Sequence, residues 1–106
     1  MNSHLPIAAP EYVVTLLNGP EKGASFKIVS GRISIGRGTD NDIVLSYDSK
    51  VSRNHAWITV TPNGVEVADV SDKNKLLVNG QETTKQILGD KSVIQLGETK
   101  LQFRIS

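Results

Sequence analysis

The sequence predicts an all-β domain, a sandwich or a barrel, and three observations lead there. Short strand-like segments recur along most of the chain, turn-forming residues separate them about every ten positions, and helical periodicity is thin throughout. The candidate strands are Tyr12–Leu17, Ser25–Val29, Ile33–Ile35, Ile43–Leu45, His55–Val60, Val65–Val70, Leu76–Val78, Ser92–Leu96 and Thr99–Ile105. Asn18-Gly19-Pro20, Pro62-Asn63-Gly64, Asn79-Gly80, Gly89-Asp90 and Gly97-Glu98 stand between them. Each supplies residues that tolerate the positive φ of a tight turn.

The final strand alternates most cleanly. Leu101, Phe103 and Ile105 point one way and Lys100, Gln102 and Arg104 the other, so one face is buried and one is wet. Glu82–Leu88 has room for a turn of helix, although adjacent Thr83 and Thr84 argue against more. Ahead of the first strand, residues 1–11 carry Pro6 and Pro10 without periodicity and read as a flexible N-terminal tail to a domain over 12–106. The initial Met and the end one residue past the last strand favour the N-terminal module of a longer protein.

Composition narrows the function classes. A chain of 106 residues is long enough for one domain with a real core. It holds no Cys, which removes disulfides and thiolate zinc sites and fits a reducing, cytoplasmic setting. Twelve Lys and Arg against eleven Asp and Glu leave a charge of +1, without the basic excess that neutralises nucleic-acid phosphates. Aromatics make up 5%, too few for a base-stacking platform. No apolar run approaches the roughly 20 residues of a membrane span, and the start lacks a signal peptide's basic and apolar regions.

Three polar clusters fall in loops. They are Gly36-Arg37-Gly38-Thr39-Asp40-Asn41-Asp42 after the third candidate strand, Ser52-Arg53-Asn54-His55 before the fifth, and Ser71-Asp72-Lys73-Asn74-Lys75 after the sixth. Loops at one end of a sandwich are neighbours in space. Arg37, Ser52, Arg53, Asn74 and Lys73 can then converge on one small anion, for which the arginine fork and a hydroxyl are well matched. A nucleophile–base reading of Ser52 and His55 needs an orienting carboxylate and an oxyanion hole, and no catalytic motif accompanies the pair. The chain is therefore read as a non-enzyme without cofactor or metal. Asn79-Gly80 is read as a hairpin turn, Asp69 and Asp90 as loop braces, and Trp57 as packing.

The ordered set Gly36-Arg37, Asn41-Asp42-Ile43-Val44-Leu45, Val51-Ser52-Arg53-Asn54-His55-Ala56, Asp69, Val78-Asn79-Gly80, Leu88-Gly89-Asp90 and Ile94-Gln95-Leu96-Gly97 resembles the forkhead-associated (FHA) domain. The resemblance runs from about Ile33 to Ile105, with Tyr12–Val29 where that family has its first strands. It implies a β-sandwich of about eleven strands whose loops at one end bind phosphothreonine peptides. It places phosphate contacts on Arg37 and Ser52 and a contact to the peptide backbone on Asn74, and Arg53 and Lys73 are read as further phosphate-binding residues of the same loops. His55 and Gly36 support the site. In the third loop many members read Gly-Ser-Thr-Asn-Gly-Thr where this chain has Ser71-Asp72-Lys73-Asn74-Lys75-Leu76. Lys73 either adds a charge or crowds the site, and selectivity should lie in that loop. The implied partner is a Thr-phosphorylated protein bound by a monomeric domain. A phosphorylation-independent interaction domain on the same fold is the alternative.

Overall fold

Period-two alternation builds eleven strands, described here from a computed structural model over residues 10–29, 31–71 and 73–106. They are β1 Tyr12–Leu16, β2 Ser25–Ile28, β3 Arg32–Gly36, β4 Ile43–Val44, β5 Ala56–Thr61, β6 Gly64–Asp69, β7 Leu76–Val78, β8 Gln81–Thr83, β9 Lys85–Ile87, β10 Val93–Leu96 and β11 Thr99–Ile105. Six form one sheet in the order β2-β1-β11-β10-β7-β8, and five form the other in the order β4-β3-β5-β6-β9. The only parallel pair among these ladders is β3 with β4, Ile35 opposite Ile43.

The two inner faces make the core, as an all-β sandwich requires. Val14, Ile35, Ile58, Ile94, Leu101 and Phe103 have no solvent exposure. Phe103 stacks on Tyr12 with ring centroids 5.9 Å apart. Trp57 is half-buried on the outer side of β5, with the Arg32 guanidinium 3.9 Å above its ring, so its packing is a cation–π contact between neighbouring strands. Asn79 and Gly80, at φ 52° and 84°, join β7 to β8 as the two-residue hairpin expected.

The stretch Glu82–Leu88 holds no helical turn. β8 and β9 fill it instead, one in each sheet. Thr83 Oγ1 accepts from Lys85 N–H at 3.3 Å and lies 3.2 Å from the Lys85 carbonyl, which turns the chain at Thr84. The Thr84 carbonyl then takes the Asp69 N–H at 2.8 Å. Paired β-branched residues with a local hydroxyl bond favour this sheet-to-sheet crossing over a helix.

Register fixes where the loops go. β3 ends at Gly36, β5 begins at Ala56 opposite Ile35, and β6 ends at Asp69 opposite Ala56. Arg37, Ser52–His55 and Ser71–Lys75 therefore leave one end of the sandwich. The β10–β11 turn shares that end, because Leu96 pairs with Leu76 at the start of β7. Tyr12 pairs with Ile105 at the far end, where Glu11 and Ser106 exchange backbone bonds of 3.2 and 2.9 Å. The remainder of the expected tail, residues 1–9, lies outside the described residues.

Candidate functional site

The first loop is clamped to the second by main-chain bonds. Arg37 N–H donates to Ser52 O at 2.9 Å and Gly38 N–H to Arg53 O at 3.1 Å. Asn41, almost fully buried, donates through Nδ2 to the carbonyls of Gly38 and Arg53 at 2.8 and 2.7 Å. Gly36 permits this approach, since a Cβ there would stand 2.2 Å from Arg53 O. The Arg37 side chain is exposed, with Nε donating to Val51 O at 3.0 Å. That bond fixes the base of the guanidinium, and its terminal nitrogens have no hydrogen-bond partner among the described residues.

His55 joins the second loop to the third. The ring is wholly buried; Nδ1 accepts Ser52 N–H at 3.2 Å, and Nε2–H donates to Lys75 O at 2.9 Å. Those partners require the neutral ring with its proton on Nε2. Both nitrogens hold backbone groups, so His55 does not act as a base toward the Ser52 hydroxyl. That hydroxyl instead accepts from Asn74 Nδ2 at 2.5 Å. Its own proton is thereby free to be donated outward, and Asn74 keeps its Oδ1 as an acceptor. Asn74 is held in turn through its carbonyl, 2.7 Å from Ser71 Oγ, and Asp69 Oδ1 takes Ser71 N–H at 2.8 Å. Asp69 braces the loop as its sequence position suggested. So does Asp90, which accepts Ile105 N–H at 2.8 Å.

All seven site residues named from sequence reach this one end, but they do not form a single cluster. A hollow of about 300 Å³ is lined by Ser52, Arg53, Asn54, Val70, Ser71 and Lys73. Arg37 and Asn74 do not line it; they approach Ser52 through its main chain and its hydroxyl respectively. Lys75, expected to share in selectivity, directs its ammonium to Glu82 at 3.7 Å.

A supporting residue absent from the sequence-based reading is Asp48. Its buried carboxylate accepts Lys50 N–H at 3.0 Å, Glu98 N–H at 2.9 Å and the Thr99 hydroxyl at 2.7 Å. It thus ties the loop carrying Ser52 to the β10–β11 turn. Burial alone would raise this carboxyl, but the Thr99 hydroxyl and the N–H groups of Lys50, Glu98 and Thr99 hold its pKa below the ordinary aspartate range. A depressed folded-state pKa stabilises the fold above the unfolded value of about 3.9, and that contribution disappears as pH falls through the folded value. Asp48→Asn should therefore lower the melting midpoint at pH 7 by roughly 10 °C, for about 2 kcal/mol of lost charge-assisted bonding. The gap between variant and parent should narrow below about pH 4. Thermal melts across pH check both, and an equal gap at pH 7 and pH 3 would deny the carboxylate this role.

Among the described residues no cluster of His, Cys, Asp and Glu could hold a metal ion, and no helix is long and apolar enough to cross a membrane.

Fold and loops together define a two-sheet recognition sandwich with polar, hydrogen-bonded loops gathered at one end. Residues 15–106 match the family described as the cytoplasmic domain of an inner membrane component of T3SS, a family of the FHA type. The chain is similar to the FHA domain of CT664 from Chlamydia trachomatis at TM-score 0.81 and 31% identity, covering 89% of this chain and 96% of that one. It is similar at TM-score 0.82 and 29% identity to a structure from work on phosphothreonine-dependent FHA domain interactions, covering 91% and 97% of the two chains. The chain belongs to the FHA family. A curated relative, the ABC transporter ATP-binding/permease protein Rv1747 of Mycobacterium tuberculosis, is 38% identical over 73 residues. That match takes in 69% of this chain and only 8% of the transporter's length.

Proposed function

We propose that this chain is a phosphopeptide-binding module that recognises phosphothreonine in a partner protein, and that it acts by binding rather than by catalysis. The observation that carries the reading is the Ser52 hydroxyl. Asn74 donates to its oxygen, which leaves the hydroxyl proton for another acceptor, while Arg37 is fastened to the main chain of the same loop. Phosphothreonine brings a charge of about −1.5 to −2 and three acceptor oxygens. The Arg37 guanidinium and the Ser52 hydroxyl are donors suited to those oxygens. Arg53 and Lys73 add positive charge beside them, and Asn74 Oδ1 takes a backbone N–H of the peptide. Gly36 and His55 hold the loops in place. The solved FHA structure whose subject is phosphothreonine-dependent interactions supports the same reading. A domain over residues 12–106, serving as a monomeric signalling or assembly module of a longer cytoplasmic protein, belongs to this proposal.

Each charge-assisted hydrogen bond contributes about 1.5–3 kcal/mol. A phosphothreonine peptide library should thus bind at least about 100-fold more tightly than the same library with threonine. Arg37→Ala should weaken phosphopeptide binding by roughly tenfold to a hundredfold. Fluorescence anisotropy titrations measure both. Equal affinity for the two libraries would replace this reading with phosphorylation-independent binding on the same loops.

A further inference from the structure

Gly36 and Gly38 flank Arg37, and they are glycines for different reasons. Neither has a positive φ, so backbone conformation requires glycine at neither position. A Cβ on Gly36 would run into main chain, 2.2 Å from Arg53 O and 2.9 Å from the Arg53 carbonyl carbon. A Cβ on Gly38 would meet side chains first, Asp40 Oδ1 at 2.8 Å and Arg53 Cγ at 2.9 Å, with Arg53 O at 3.3 Å. The stem of Arg53 therefore lies across the bare α-carbon of Gly38. Main-chain bonds hold the two residues in that relation. Gly38 N–H donates to Arg53 O at 3.1 Å, and Asn41 Nδ2 donates to the carbonyls of Gly38 and Arg53 at 2.8 and 2.7 Å. Asp40, the other side chain over Gly38, forms no ion pair with Arg53. Arg53 goes on to line the hollow that has Ser52 in its wall.

Resting on the phosphothreonine reading, we infer that Gly38 is a positioning residue for that site: its missing Cβ seats the Arg53 stem so that the guanidinium reaches the phosphate beside Ser52. With the Arg53 main chain pinned, χ1 alone sets the place of Cγ, and χ1 has three staggered wells. A methyl on Gly38 closes the well in use. Either remaining well redirects everything beyond Cγ, the guanidinium included. The fold itself tolerates the methyl, because the exposed Asp40 carboxylate swings aside and Arg53 O has only a few tenths of an ångström to give. Gly36 thus keeps the two loops together, while Gly38 aims one of the cations they carry.

A double-mutant cycle tests this on the chain as it stands. A phosphothreonine peptide library and the same library with threonine are titrated against the parent, Gly38→Ala, Arg53→Gln and the double variant, with a melting midpoint for each. Arg53→Gln should weaken phosphopeptide binding about tenfold or more, as loss of a charge-assisted contact does. Gly38→Ala should weaken it about fivefold, with a midpoint within about 3 °C of the parent. In the Arg53→Gln background the same methyl should change affinity by less than about twofold, because no guanidinium is left to aim. Undiminished binding by either single variant overturns the proposal. So does an equal loss from Gly38→Ala in both backgrounds, which would place its effect in the loop and not in Arg53. However the variants fold, the parent gives a second reading: a nuclear Overhauser contact between the Gly38 α-protons and the Arg53 γ-methylene should persist when phosphopeptide binds. Its absence from the complex would refute the seating. Equal binding of the two libraries by the parent would show instead that the phosphothreonine reading beneath it is wrong.

Discussion

Gly36→Ala should lower the melting midpoint by about 10–20 °C, the consequence of roughly 3 kcal/mol lost to a single added methyl group. The reason is local and steric. A Cβ at this position meets Arg53 O at 2.2 Å, the Asn41 amide nitrogen at 2.7 Å and the Arg53 carbonyl carbon at 2.9 Å. Two of these atoms belong to backbone, which cannot swing aside as a surface side chain does. Relief requires that β3 and the loop carrying Ser52 and Arg53 separate. That separation breaks the bonds from Arg37 N–H and Gly38 N–H to Ser52 O and Arg53 O. The same variant should lose phosphopeptide affinity by at least tenfold even at temperatures where it remains folded. Calorimetry together with peptide titration at 10 °C measures both effects, and a melting midpoint within about 3 °C of the parent would show that the loops accommodate the methyl.

His55→Ala should be of similar size, about 3–4 kcal/mol. It removes a ring with no solvent exposure and orphans Ser52 N–H on one side and the Lys75 carbonyl on the other. Truncation therefore adds a cavity to two unsatisfied backbone groups. Because the ring bridges the loops bearing Ser52 and Asn74, its loss should loosen the Asn74–Ser52 bond and weaken phosphopeptide binding about tenfold or more. His55→Gln should recover part of the stability by reaching one of the two backbone partners. Faster amide exchange confined to residues 51–55 and 73–75 would locate the damage. Unaltered exchange there, with undiminished binding, would exclude the ring as the link between loops.

Strands were readable where alternation ran long enough to set a face. β11 and β7 have the limits read from sequence, and most other strands differ by one residue at an end. β8 and β9 were not readable, because three residues apiece cannot display a period and their separation depends on the Thr83–Lys85 turn. At the site, what was legible was that the loops bearing Arg37, Ser52 and Asn74 share one end, because the strands before and after them could be placed in order. The scaffolding beneath was less so. Asp48 acts on the backbone N–H of Glu98, 50 positions away, and any residue presents such a group. Asn41 likewise latches onto carbonyls, which leave no signature in a sequence. Lys75 shows the same limit from the other side. Its conspicuous ammonium faces Glu82, while its carbonyl receives His55.

The antiparallel pairing of β1 with β11 has a mechanical consequence. Tension applied through residues 11 and 106 acts at one end of this ladder, where Glu11 faces Ser106 and Tyr12 faces Ile105. The hydrogen bonds then open one after another, as a zipper does, and do not resist together in shear. Rupture begins farthest from Ser52 and uncovers Phe103 before it reaches Leu101, opposite Leu16. A pull through the two ends thus peels the sandwich from its base, and the ligand loops are the last part to feel it.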